Sequence, residues 1–237
     1  MEKKYKLVEE TINVNGRTLY RIEALKDFGD VKKGDNGGFI EKEDNLSQSG
    51  NCWVYGDAKV YGDAIVYDNA NIYCRAQVYD NAIVYGDARV HSDAIVRGNT
   101  RVFQNAIVYG NAQVYDNAVV CDYVDVYGNA KIYGNGFVYG NAWVGGNAEV
   151  YGYAKVNGYA EIYGDAVITS NSDYIVFKNW WSSGRHFTWT RSNDMWKVGC
   201  FYGTGKELIE KAYKDSVLSG REYKRVVDYV ESIFQFQ

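Results

Sequence analysis

Two histidines are the side chains of this sequence best suited to general acid-base chemistry, because the pKa of imidazole lies closest to neutrality. His91 occupies a position where the neighbouring sequence repeatedly places tyrosine, and His186 follows Arg185 at the start of an alternating segment. No Ser-His-Asp arrangement and no pair of carboxylates with a definable spacing accompanies them. We therefore interpret His91 as a substitution within a row of aromatic residues and predict no catalytic residue.

The cysteines do not have the spacing of a metal site. Cys52, Cys74, Cys121 and Cys200 lie far apart in the sequence, and we interpret them as reduced thiols of a cytosolic protein. The glycine-rich run at 34–38 lacks the Gly-Lys-Ser/Thr ending of a phosphate-binding loop and is not followed by a predicted helix. The sequence therefore predicts no metal and no cofactor.

A six-residue repeat organises the middle of the chain. Val or Ile recurs at every sixth position from Val54 to Ile168, and a small residue, nearly always Ala, lies four positions after each of them. A period of six fits one short strand and one tight corner, in which Ala and Val face inward. Three repeats make one coil, and successive coils stack at about 4.8 Å. The pattern predicts an all-β solenoid, a parallel β-helix with an aliphatic interior.

The outward positions carry a second pattern. The residue after each Val or Ile is Tyr in most repeats, which forms rows of aromatic side chains along the three faces. Such rows can simply shield the backbone hydrogen bonds, or one of them can be a binding surface. Apolar side chains concentrate on one face, here called the third face. We predict this apolar strip as the binding site: Ile65, Tyr67, Ile83, Tyr85, Phe103, Val119, Phe137 and Tyr139. It should be covered by the C-terminal part of the chain, by a second copy or by a target.

The flanks predict end pieces, so that the chain divides into residues 1–47, 48–174 and 175–237. Alternating segments around Asn15-Gly16 indicate an N-terminal hairpin that caps the first coil. A second hairpin is expected over 186–201, and capping boxes at Thr204 and Ser219 predict two helices after it. Four tryptophans supply either the small core of this C-terminal piece or a ligand pocket: Trp180, Trp181, Trp189 and Trp196.

The composition narrows the class of protein. The net charge is −4, and no stripe of Lys or Arg follows the coils, so nucleic-acid binding is not expected. The start of the chain lacks the apolar segment of a signal peptide, and no apolar run is long enough to cross a membrane. We therefore expect a cytoplasmic protein, in the host cytoplasm if a phage encodes it.

The repeat resembles the hexapeptide-repeat superfamily of left-handed β-helices, which is best known from acyltransferases. The V-Y-G-N-A and V-Y-G-D-A units, and the flanking segments at 21–25, 34–41 and 196–201, are closest to uncharacterised bacterial and prophage proteins. The resemblance implies the left-handed sense of the coils. The resemblance also implies acyl transfer as a possible activity. Such enzymes generally need a histidine base and often a loop that protrudes from the coils, whereas this chain has no inserted loop among its repeats and only two histidines. A zinc site like that of the γ-type carbonic anhydrases is excluded, since it needs three histidines.

Three functions stay open at this point. The preferred one is a non-enzymatic binding protein that presents a rigid surface to a protein partner, either a host protein or its own copy in a homo-oligomer. The resemblance to phage proteins gives it a specific form, inhibition of a host defence component such as CRISPR. The alternatives are an acyl-CoA-dependent acyltransferase and an oligomer that sequesters a small ligand or nucleotide.

Overall fold

The N-terminal segment forms a hairpin and a third strand, in a computed structural model that describes residues 2–234. Strands β1 (Tyr5–Val14) and β2 (Arg17–Ala24) pair antiparallel, and β2 pairs with β3 (Asn36–Ile40). Asn15 and Gly16 connect β1 to β2 with φ angles of 53° and 83°, the left-handed conformation that a two-residue turn requires. The predicted N-terminal hairpin is confirmed.

The repeat region forms twenty two-residue strands. In chain order these are β4 (Trp53–Val54), β5 (Lys59–Val60), β6 (Ile65–Val66), β7 (Asn71–Ile72), β8 (Gln77–Val78), β9 (Ile83–Val84), β10 (Arg89–Val90), β11 (Ile95–Val96), β12 (Arg101–Val102), β13 (Ile107–Val108), β14 (Gln113–Val114), β15 (Val119–Val120), β16 (Asp125–Val126), β17 (Lys131–Ile132), β18 (Phe137–Val138), β19 (Trp143–Val144), β20 (Glu149–Val150), β21 (Lys155–Val156), β22 (Glu161–Ile162) and β23 (Val167–Ile168). Each strand from β4 to β20 pairs in parallel with the strand three places later, one coil further on.

Three sheets result, one on each face of a parallel β-helix. The first sheet has the order β4-β7-β10-β13-β16-β19-β22. The second extends from the N-terminal hairpin as β1-β2-β3-β5-β8-β11-β14-β17-β20-β23, and the third is β6-β9-β12-β15-β18-β21. Every Val or Ile of the six-residue column is buried, as is the Ala column. The predicted β-solenoid with an aliphatic interior is confirmed.

The corners are built from residues with positive φ. Gly, Asp and Cys74 all adopt this conformation at equivalent positions, Asp68 at 57° and Cys74 at 58°. Side-chain amides bridge neighbouring corners, as where Asn129 Nδ2 donates to Asn147 Oδ1 at 2.9 Å and Asn147 Nδ2 donates to Asp165 Oδ1 at 2.8 Å. Gly145 is not required for a positive φ. A side chain is excluded there because a Cβ would lie 2.3 Å from the Tyr127 ring. Turn chemistry therefore accounts for most of the Gly, Asn and Asp residues.

The N-terminal segment closes the first coil. Ile40 pairs with Val60, and Leu46 forms a parallel bridge with Val66, so that both continue the inward columns beyond the regular repeats. Tyr5 and Ile22 are fully buried on the same core. A solenoid needs such a cover, because its terminal coil would otherwise expose apolar side chains and an unpaired strand edge.

The C-terminal piece contains a four-stranded antiparallel sheet and two helices. Its strands are β24 (Tyr174–Lys178), β25 (His186–Thr190), β26 (Met195–Val198) and β27 (Phe201–Gly203), paired in sequence order. The predicted hairpin is present as β25 and β26. The expected second strand ends at Val198, because Gly199 takes a φ of 54° and the chain reverses into β27.

The helices are α1 (Gly205–Asp215) and α2 (Val217–Phe234). Thr204 caps α1 in a capping box with Glu207, as predicted. The capping box expected at Ser219 was wrong. Ser219 lies inside α2, and its N–H donates to Ser216 Oγ at 3.0 Å, so Ser216 supplies the capping oxygen. None of the helices in the described part of the chain is long and apolar enough to cross a membrane.

A separate apolar core joins this sheet to the helices. Phe187, Trp189 and Trp196 pack there against Leu208, Ala212, Tyr223, Val227 and Val230. Trp181 is partly buried at the edge of this core, whereas Trp180 is 71% exposed and is not part of it. The prediction of a tryptophan core therefore holds for two of the four residues fully and for Trp181 in part.

Candidate functional site

The predicted apolar strip lies along the third sheet. Ile65, Ile83, Val119 and Phe137 are the outward residues of strands β6, β9, β15 and β18, and the rings of the strip follow the strands. Tyr67 stacks on Tyr85 at 4.9 Å between ring centroids, and Tyr85 stacks on Phe103 at 4.8 Å. The structure thus places the eight predicted residues on one face.

Two features interrupt the strip. Buried Cys121 takes the ring position between Phe103 and Tyr139, so the aromatic row is not continuous. Arg101, the outward residue of β12, lies between Ile83 and Val119 and is exposed. Among residues 2–234, no carboxylate forms an ion pair with Arg101. The strip is therefore an apolar surface with one unneutralised cation near its centre.

The C-terminal piece docks elsewhere. Its polar and ring contacts with the coils involve residues 155–167, as where the Glu161 N–H donates to Thr188 Oγ1 at 2.8 Å and the Val167 N–H donates to Ser192 Oγ at 2.7 Å. Tyr174 contacts the last coil of the third sheet, where its hydroxyl donates to Lys155 O at 3.0 Å and accepts from the Asn157 N–H at 3.2 Å. The C-terminal sheet therefore closes the end of the solenoid and leaves the strip partly exposed, with Ile65 41% exposed.

A second candidate site, called the end groove, lies where the C-terminal sheet meets the last two coils. Its volume is about 380 Å³, and its lining is Asn141, Trp143, Tyr159, Glu161, Arg185 and His186. Trp143 and Glu161 are paired residues of strands β19 and β22. Trp143 is 47% and Tyr159 is 52% exposed. The groove therefore combines two open aromatic faces with an imidazole, a guanidinium and a carboxyl group.

Packing holds the polar side chains of the end groove in place. The His186 ring stacks on Tyr159 with centroids 4.2 Å apart and an angle of 2° between planes. Lys197 Nζ lies 3.7 Å from a Glu161 carboxylate oxygen. Burial raises the pKa of Glu161, and the charge of Lys197 opposes this shift. A carboxyl group in this setting can give a proton or accept a hydrogen bond from a ligand.

His91 is not part of this groove. It stacks on Tyr109 at 5.1 Å within the aromatic row of the first sheet, and its Nδ1 hydrogen bonds with Ser92 Oγ at 3.1 Å. Burial, with a smaller effect of Arg89, lowers the pKa of His91. Its position agrees with the interpretation of His91 as a substitution within the row.

The end groove was missed by the sequence analysis, although two signals were present. Trp143 and Tyr159 both depart from the repeat, because Trp precedes the inward Val and Tyr stands at a corner where Asp or Asn is usual. The contribution of Arg185 and His186 could not be predicted, since the repeat does not specify where the C-terminal sheet docks.

Comparison with known proteins identifies relatives of the repeat. Residues 76–92 match the family model described as the YdcK beta solenoid repeat. A stretch of 48 residues is 46% identical to the protein named "Uncharacterized acetyltransferase YdcK" of Escherichia coli strain K12, which is 20% of this chain and 15% of that relative. The matched stretch thus spans only a small part of that relative's length. The chain is thus similar to the YdcK beta solenoid repeat over residues 76–92, in agreement with its hexapeptide pattern.

Proposed function

We propose that this chain is a non-enzymatic binding protein that presents the apolar strip of its third sheet to a protein partner. The main support for the proposal is that the strip stays partly exposed, with Ile65 41% exposed, while the hydrogen bonds of the C-terminal piece are made at the end of the solenoid. Of the three covers expected from the sequence, a second copy and a target then remain.

The solenoid suits this role because its outward side chains are held in place before binding. Each strip residue adjoins a fully buried Val, and the stacked rings of Tyr67, Tyr85 and Phe103 restrict one another. Ordering side chains on association normally costs about 0.5–1.5 kcal/mol for each long residue. A surface already ordered by stacking avoids much of that loss.

Arg101 indicates the chemistry of the partner. An exposed arginine between Ile83 and Val119 can stack on an aromatic ring or form a bidentate ion pair with a carboxylate. Arginine and aromatic residues dominate the binding energy of many protein interfaces. The partner expected here is a protein surface with an apolar centre and one carboxylate placed opposite Arg101. The resemblance to phage and prophage proteins extends this proposal to inhibition of a host defence component, and that extension rests on the resemblance alone.

The test changes the strip without changing the core. Ile83→Glu together with Val119→Lys places charges on outward positions, and we expect folded coils with loss of partner capture or a lower oligomeric mass. Ile95→Glu with Gln113→Lys introduces the same two side chains at outward positions of the second sheet and serves as the control. Light scattering after size exclusion, pull-down from host lysate and thermal melting are the measurements. Unchanged mass and capture in the strip variant would reject the strip as the interface.

Acyl transfer is a second candidate function, supported by the end groove. His186 and Glu161 line one groove together with two exposed aromatic residues, and the similar protein of Escherichia coli carries the name of an acetyltransferase. An imidazole can serve as the general base for an attacking amine or hydroxyl group, and the aromatic faces can hold a ligand ring.

Release of free thiol from acetyl-CoA separates the two candidates. Catalysis in the end groove requires release by the wild type, its loss in His186→Asn and its retention in His91→Tyr. The binding proposal expects no release from any of the three proteins. Thiol release that survives in His186→Asn would reject the groove as the catalytic site.

A further inference from the structure

Lys4 and Cys52 form a buried amine–thiol pair at the N-terminal end of the solenoid. Lys4 Nζ lies 3.2 Å from Cys52 Sγ and donates to the Cys52 carbonyl oxygen at 2.9 Å. Two longer contacts, each 3.4 Å, reach the carbonyl oxygens of Ser49 and Gly50. The Lys4 residue is 1% exposed and Cys52 is 0% exposed. No carboxylate neutralises Lys4 within the described residues, so carbonyl oxygens and one sulfur surround the nitrogen.

The position of Cys52 is unusual within the repeat. It stands in the corner column that later coils fill with Ala, so the sulfur projects where a methyl group suffices for the fold. Burial lowers the pKa of Lys4, against an opposing effect of Cys52, and it raises the pKa of Cys52, so burial shifts each group toward its uncharged form. A neutral amine has a free electron pair and is a nucleophile. This pairing is absent at Cys121, the other buried cysteine, where no amine lies within hydrogen-bond distance among residues 2–234.

A cavity lies beside the pair. Its volume is about 570 Å³, and its lining includes Lys4, Lys26, Phe28 and the segment Gln48, Ser49, Gly50 and Asn51. Cys52 is next in sequence to this segment but is not itself part of the lining. Local opening of this segment would admit a molecule of the size of hydrogen peroxide to the sulfur.

We propose that Lys4 and Cys52 are a peroxide-dependent modification site that closes a covalent nitrogen–sulfur bond. Hydrogen peroxide oxidises the Cys52 thiol to sulfenic acid and is itself reduced, releasing one water. The Lys4 nitrogen then attacks the sulfur, the S–N bond forms, the S–O bond breaks, and hydroxide leaves with a proton from nitrogen as a second water. The net change is loss of two hydrogens from the protein. Sulfenic acids are known to condense reversibly with a backbone nitrogen to a sulfenamide, and the proposed bond is the same condensation with a side-chain amine.

The bond would fasten the start of β1 to the first coil. It joins residues 48 positions apart in the sequence, so that the whole N-terminal hairpin becomes a closed loop. A crosslink across a loop of this size restricts the unfolded chain and raises the melting temperature. Oxidation would therefore stabilise the cap at the N-terminal end of the solenoid.

The test is peptide mapping of the full chain after peroxide treatment. We expect a linked peptide that contains Lys4 and Cys52 and lacks two hydrogens, a higher melting temperature, and reversal of both by a thiol reductant. Cys52→Ala restores the residue of the other corners and should abolish the link and the temperature shift. Cys121→Ala is the matched control and should retain both.

Two results would overturn the proposal. One is oxidation of Cys52 to sulfenic or sulfinic acid with Lys4 recovered unmodified. The other is a peroxide-dependent rise in melting temperature that persists in Cys52→Ala. Because the mapping is made on the wild-type protein, the answer does not depend on the folding of any Lys4 variant.

Discussion

The solenoid and the C-terminal piece are stabilised in different ways. In the coils, each inward Val or Ile lies on copies of itself, and every member of the column is buried to the same degree. In the C-terminal piece each contact occurs once, as where Phe187 meets Trp196 at 6.1 Å and Tyr223 at 5.3 Å between ring centroids. In the repeated core, many similar contacts each contribute a similar share of the stabilising free energy. In the aromatic core, a few large side chains contribute most of it.

The largest effect is expected from a charge inside the repeated core. Val96→Asp would bury a carboxylate among aliphatic side chains with no partner, at a cost of more than about 4 kcal/mol. The cooperative thermal transition should be lost because neighbouring coils fold on one another. Ile95→Asp, one residue earlier and outward, should melt nearly as the wild type does. Soluble Val96→Asp protein with wild-type melting would show that the column is not the interior.

A truncation in the aromatic core should have a large but local effect. Trp196→Ala removes a ring that is 1% exposed and should destabilise the C-terminal piece by about 3–5 kcal/mol. Hydrogen exchange should accelerate over residues 174–234 and stay slow in the inner coils. Trp180→Ala is the control, since this ring is 71% exposed. Equal acceleration throughout the coils would mean that the two regions unfold as one unit.

Two buried threonines allow a finer comparison. Thr100 stands in the Ala column, is fully buried, and its hydroxyl has no hydrogen-bond partner among the described residues. Thr100→Val keeps the shape and should stabilise the protein by about 1 kcal/mol. Thr188→Val should do the opposite, because Thr188 Oγ1 accepts the Glu161 N–H at the junction of the two regions. Denaturant unfolding measures both, and destabilisation by Thr100→Val would contradict the assignment.

The smallest effect is expected at His91 and depends on pH. Burial lowers the pKa of His91 in the folded protein, so the unfolded chain takes up the proton first. Stability is therefore lost as pH falls below the unfolded pKa of about 6.5. The free energy of unfolding of His91→Tyr should lie within about 0.5 kcal/mol of the wild-type value at pH 7.5. Towards pH 5 the variant should become more stable than the wild type, because only the wild type loses stability through His91. A difference that does not change between these pH values would show that His91 is not desolvated.

The sequence specified the coils far better than the end groove. The six-residue column of Val and Ile, from Val54 to Ile168, could be placed inward because strand alternation and a period of six leave one arrangement. The strip followed from the same register, since residues three repeats apart share a face. The end groove forms where the C-terminal sheet packs against the last coils, for example through the hydrogen bond from the Glu161 N–H to Thr188 Oγ1. The six-residue repeat contains no information about where that sheet packs. The error at Ser219 has a similar origin, because Ser216 offers an equivalent capping oxygen one turn earlier.

The corner amides bear on how the chain avoids pairing the wrong coils. An Asn both donates and accepts, so a row of Asn fits equally well if one coil is skipped. Asp165 only accepts, and it ends the row that runs through Asn129 and Asn147. Arg75 binds Asp93 at 2.7 Å, and a skipped coil would set Arg75 opposite Asn111 instead. The common residues thus shape each coil, and these few unlike residues favour the pairing of each coil with its correct neighbour.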